Sequence, residues 1–126
     1  MALSVKNQGR VVWAVRVLLA LAFAAAGAAK LAGVPMMVQN FEQIGLGQWF
    51  RYLTGLVEIT GALLLLLPRT GFWGGLLLGV TMLGAIATHL LVLGGTAVPA
   101  LVLAVLCGFV AYRLRPGSVL ETGASA

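Results

Sequence analysis

Four apolar runs divide this chain, each stopped by a proline, a glycine pair or a charge, and they dictate what it can fold into. They cover residues 11–30, 50–67, 71–93 and 97–113. Crossing about 30 Å of hydrocarbon takes roughly 20 helical residues, with about 17 as the short limit. The first and third runs satisfy that length; the second and fourth lie near the limit, which suits a locally thin bilayer or frayed ends. Composition closes the alternative. With 61% hydrophobic and 9% charged residues, 126 residues cannot supply the polar skin of a soluble domain. The expected fold is all-α: one integral membrane domain over residues 1–126, built as a four-transmembrane-helix bundle.

The formal charge is +5 and the pI about 10.4. The eight basic residues are scattered beside apolar runs, so they read as topology signals and exclude a nucleic-acid partner. With the N-terminus in the cytoplasm, Lys6, Arg10, Arg69, Arg113 and Arg115 fall inside, and Arg16 lies near that face. Lys30 and Arg51 fall outside, and the connection 94–98 carries no charge. This asymmetry predicts that both termini are cytoplasmic. Trp13, Trp73 and Tyr112 then mark the inner interface, Trp49 and Tyr52 the outer one. Lys6 and Arg10 followed by an apolar run also fit a signal peptide cleaved near Ala26-Gly27-Ala28, but the run is long for an h-region, and the uncleaved reading is preferred.

Between the first two runs, residues 35–44 are expected to form a short interfacial helix. Val34, Met37, Val38, Phe41 and Ile44 share one arc, and Gln39, Asn40, Glu42 and Gln43 fill the other. Pro35 suits a first-turn position, and Gly45 and Gly47 supply the stop. Such a helix lies on the outer face as a lid sealing the bundle, or as a gate over a pocket.

Charged and titratable residues inside the apolar runs carry the functional signal. Glu58 stands mid-run, where insertion scales place an acid at a cost of about 2.5–3.5 kcal/mol. At 1.5 Å per residue, it lies roughly 10 Å below the outer interface and His89 roughly 7 Å below it. Lys30 ends the first run at that surface. Side chains lean toward a helix's N-terminus, so Lys30 and His89 tilt into the membrane and Glu58 tilts outward. A Lys30–Glu58–His89 cluster is expected in the outer half of the bundle, with Arg51 competing for Glu58. Plainer readings exist: Lys30 snorkelling to headgroups, and a neutral His89 bonded to a backbone carbonyl or a threonine; Arg16 is expected to snorkel inward, with an interior role as the alternative. Glu58 shares its stripe with Gly55 and Ala62. Gly71, Gly75 and Gly79 form a small-residue ladder for close helix packing.

One histidine and one cysteine far apart make no metal site, and Cys107 has no second cysteine for disulfide exchange. No phosphate-cradling glycine motif follows a strand, and no serine lies in a run to head a triad.

Four stretches carry a family resemblance: Ala24-Ala-Ala-Gly-Ala-Ala-Lys-Leu-Ala-Gly33, Gly45-Leu-Gly-Gln-Trp-Phe50, Gly55-Leu-Val-Glu-Ile-Thr-Gly-Ala62 and Gly84-Ala-Ile-Ala-Thr-His-Leu90. Together they resemble the DoxX and DoxX-like family of small bacterial four-helix membrane proteins. The resemblance implies a multi-pass bundle in the cytoplasmic membrane and, as in some relatives, membership of a quinone-linked redox complex. Lys30, Glu58 and His89 carry over as family-like polar positions. No catalytic assignment follows, and whether the chain is an enzyme stays open. No cofactor motif is evident; a quinone is the cofactor the resemblance suggests. The expected partners are the lipid bilayer and a redox subunit or further copies of the chain. In a quinone site, His89 would exchange protons, Glu58 would orient the ligand and Lys30 would hold the charge on Glu58. The alternatives are a scaffold whose polar cluster is structural and an oligomeric transporter.

Overall fold

A computed structural model describes residues 4–118, and among them the chain is helical with no strand. Helix α1 (Val5–Ala32) begins at Ser4, whose hydroxyl accepts the Asn7 N–H at 3.2 Å. It starts six residues before the apolar run, because a capped helix propagates through Lys6, Asn7, Gln8 and Arg10 as readily as through valine. It ends at Gly33, in the left-handed region at φ 75°. The chain then turns into α2 (Pro35–Ile44), with proline in the first turn and Gly45 as its stop. Three further helices follow: α3 (Trp49–Leu66), α4 (Gly71–Thr88) and α5 (Val98–Leu114). Helix α4 runs on without a break into one π-helical turn, His89–Leu93.

Helices α1 and α3 form one closely packed pair and α4 and α5 another, with α3 against α4 joining the two. Glycines set the closest approaches. A Cβ added to Gly27 would lie 2.8 Å from the carbonyl oxygen of Gly55, so α1 and α3 cross backbone to backbone there. Gly75 meets α5 the same way, its would-be Cβ 3.0 Å from the Cys107 carbonyl oxygen. The ladder loosens at Gly79, which has only ordinary contact with Cys107. The core between the pairs holds Leu19, Phe23, Leu65, Leu78, Cys107 and Val110, each no more than 2% exposed.

The outside is more apolar than the requirements of packing explain. Leu18, Leu21, Val80, Leu83 and Val105 are all more than half exposed, forming a belt that water would penalise and hydrocarbon would cover. Helices α1, α3 and α4 with its π turn are long and apolar enough to cross a membrane; α5 is shorter. The chain is a helical membrane protein. Its termini, predicted to be cytoplasmic, lie partly outside the described residues.

Arg16 departs from the sequence reading. It does not snorkel: it is 1% exposed. Its Nε donates to the Leu65 carbonyl at 2.7 Å and a terminal nitrogen donates to that of Leu67 at 2.6 Å. Its guanidinium also lies 3.7 Å from the centre of the Trp13 ring. The last carbonyls of α3 lack intrahelical partners and stand at the negative end of the helix dipole, so they hold the cation inside.

Candidate functional site

At the other end of α1, Lys30 occupies the last turn, one turn beyond the Gly27 crossing. Glu58 lies one turn past Gly55 on α3. The glycine contact therefore brings the two side chains together: Lys30 Nζ is 2.8 Å from Glu58 Oε1. Glu58 is 2% exposed. Lys30 meets it as an ion pair, and no other donor among the described residues reaches Oε1. For a carboxylate with about four lone-pair sites, this is sparse provision.

The pair forms part of the wall of a cavity of about 490 Å³, within the range of small-molecule sites. Apolar walls come from α1 (Phe23, Ala26), α3 (Phe50, Leu53), α4 (Met82, Ala85) and α5 (Leu103). Helix α2 covers it with Met37, Asn40, Phe41 and Ile44, an i, i+3, i+4, i+7 stripe. The sequence places Asn40 on the polar arc facing away. The observed stripe is rotated toward Asn40 and brings that residue onto the cavity side.

His89 lines the same cavity without joining the ion pair. Its Nδ1 lies 3.2 Å from the Gly94 carbonyl oxygen, and its own carbonyl accepts the Gly94 N–H at 2.9 Å. The π turn that begins at His89 ties the residue to Gly94 on both counts. Since a carbonyl oxygen only accepts, Nδ1 carries the proton in this contact, and in the Nδ1–H tautomer Nε2 keeps a lone pair.

Arg51 does not reach Glu58 either. It is 5% exposed and donates to the Lys30 carbonyl and, at 2.7 Å, to Gln48 Oε1. Gln48 in turn donates from Nε2 to the Val38 carbonyl on α2 at 3.1 Å. A run of hydrogen bonds thus ties the end of α1, the start of α3 and the covering helix together. Sequence reasoning missed Gln48, because an amide next to a turn glycine carries no signal of its own. Three threonines on the wall, Thr54, Thr81 and Thr88, each donate to the carbonyl four residues back at 2.8 Å. Their protons are engaged, and lone pairs are what they can offer to the cavity.

A sequence model of the DoxX-like family matches residues 14–110, a span that takes in α2, α3, α4 and most of α1 and α5. The chain belongs to the DoxX-like family. The matched span of this DoxX-like protein includes Arg16, Lys30, Arg51, Glu58 and His89. No curated protein and no solved structure shows significant similarity to it.

Proposed function

We propose that this DoxX-like protein is a four-span protein of the bacterial cytoplasmic membrane, with both termini cytoplasmic, that binds a small amphipathic molecule of the quinone class as an accessory subunit of a membrane redox system. The observation that carries this reading is the Lys30–Glu58 ion pair in the wall of a largely apolar cavity of about 490 Å³. Apolar walls with a few convergent polar groups are the usual make-up of a small-molecule site, and an ionisable pair within the bundle is a costly item for a fold alone. The residues suit a quinone. Phe23, Phe41, Phe50 and Met82 offer flat and pliable surface for a ring and tail, and the Lys30 ammonium is a donor for a ring oxygen. When bound, a quinone supplies two-electron redox chemistry. The chain's part is to orient the ring through Lys30 and Glu58 and to exchange a proton at Nε2 of His89, while a partner subunit supplies or takes the electrons.

Titration of the purified protein with a short-chain quinone, read as thermal unfolding, tests the reading. A saturable rise in the unfolding temperature is expected; no rise with benzoquinone or naphthoquinone probes would remove the redox role.

A second reading rests on the position of the pair one turn from the Gly27–Gly55 crossing. Here the ion pair only fixes α1 against α3, and the protein is a scaffold. Glu58→Gln lowering stability while leaving ligand and partner binding intact would favour it.

A further inference from the structure

Lone pairs outnumber free protons around this cavity. Glu58 contributes an acceptor-only carboxylate whose Oε1 meets a single ammonium. Thr54, Thr81 and Thr88 have their hydroxyl protons engaged with backbone carbonyls, which leaves their oxygens as acceptors. His89, with Nδ1 on the Gly94 carbonyl, keeps an acceptor at Nε2. Against these stand the Lys30 ammonium and the Asn40 amide as donors. A buried acceptor left without a donor is penalised, and more so when it is charged.

We propose that the cavity selects its ligand by a hydroxyl group, taking a neutral phenol or hydroquinone in preference to the corresponding quinone. The proposal rests on the ligand-site reading above and refines it. A quinone oxygen only accepts; it can satisfy Lys30 and adds one more acceptor beside Glu58. A phenolic oxygen does both, donating its proton to the carboxylate while accepting from the ammonium. Lys30 and Glu58 sum to zero charge, so a neutral ligand brings no uncompensated charge into a low-dielectric interior. An aromatic body suits Phe41 and Phe50, whose rings meet edge to face at 5.7 Å on the cavity wall, and the deeply buried Phe23.

Four probes test this on the full-length protein in detergent micelles under anaerobic conditions: decylhydroquinone, decylbenzoquinone, the dimethyl ether of decylhydroquinone, and n-dodecanol. Affinities are read from the concentration dependence of the thermal shift. The hydroquinone is expected to bind at least about tenfold more tightly than the quinone and the ether, a difference set by one charge-assisted hydrogen bond. Dodecanol is expected to bind more weakly than the hydroquinone for lack of a ring; equal affinity would overturn the aromatic assignment. In Glu58→Gln the preference for hydroquinone over ether should shrink to less than about half its wild-type value, since an amide oxygen still accepts the phenolic proton but without the charge. If hydroquinone, quinone and ether bind equally to the wild type, the hydroxyl proposal is wrong and the cavity remains a ligand site. If none of the probes binds, both readings fall. The wild-type comparison involves no variant, so it does not depend on Glu58→Gln folding.

Discussion

Removing Lys30 leaves the Glu58 carboxylate buried without its counter-charge, which typically costs about 3–5 kcal/mol, and removing Glu58 leaves a part-buried Lys30 unpaired at a smaller cost. Glu58→Gln and Lys30→Met should therefore each lower the unfolding temperature in detergent. The double variant Lys30→Met/Glu58→Met should recover most of that loss, since an apolar pair of similar volume is often neutral or better. If the double variant is as unstable as the sum of the singles, the two side chains do not act as a pair. Arg16 makes a second prediction. Lysine donates from a single nitrogen and lacks the planar fork that puts separate nitrogens on the two carbonyls, so Arg16→Lys should destabilise by about 1–3 kcal/mol through a poorly satisfied Leu65 or Leu67 oxygen. An unchanged unfolding temperature would contradict the buried role. Glu58 and Lys30 were legible from sequence because opposite charges inside apolar runs need each other. Arg16 was not: its partners are backbone carbonyls at the end of another helix, which no pairing of side chains reveals. For His89 the plainer reading, a bond to a backbone carbonyl, is the one the structure shows; that the carbonyl belongs to Gly94 was not legible, because the π turn that ties them has no residue signature.

Glycine contacts and the covering helix organise the elements around that pair. A Cβ at Gly27 would meet the Gly55 carbonyl and the Ile59 side chain within 3 Å. Gly27→Ala should force α1 from α3 and cost about 1–3 kcal/mol, the usual range for overpacking; stability equal to wild type would mean that the helices do not cross there. Alanines flank Gly27 on both sides, so its sequence gave no sign that this glycine, and not its neighbours, forms the crossing. Helix α2 was more legible, since Pro35, Gly45 and the apolar period between them mark its ends and its inner face. What fastens it was not, because Gln48 acts through the Val38 carbonyl and the Arg51 guanidinium. Gln48→Ala removes both contacts. Amide exchange in α2 should quicken about fivefold or more, with α1 and α3 unchanged, as expected for losing roughly 1 kcal/mol locally. Equal exchange in both proteins would show that α2 is held by its apolar stripe alone.

An exposed apolar belt, an ion pair on a buried carboxylate and a cavity beside it make a protein suited to a hydrocarbon solvent with a chemically distinct site inside. That inversion was legible from the four apolar runs and the scarcity of charge. The cavity was not, because an empty space arises from how five helices meet and from no single segment. It separates a ligand site from a staple: a staple needs the ion pair and no room beside it. Ala26 lines the cavity, and Ala26→Phe fills the space while both charges of the ion pair are retained in the sequence. Mass spectrometry of gently extracted wild-type and Ala26→Phe proteins is the direct comparison. The predicted result is a small apolar molecule retained by the wild type and lost from a folded Ala26→Phe variant. A wild type that carries nothing, or a variant that keeps the same molecule, would contradict the cavity as a binding site.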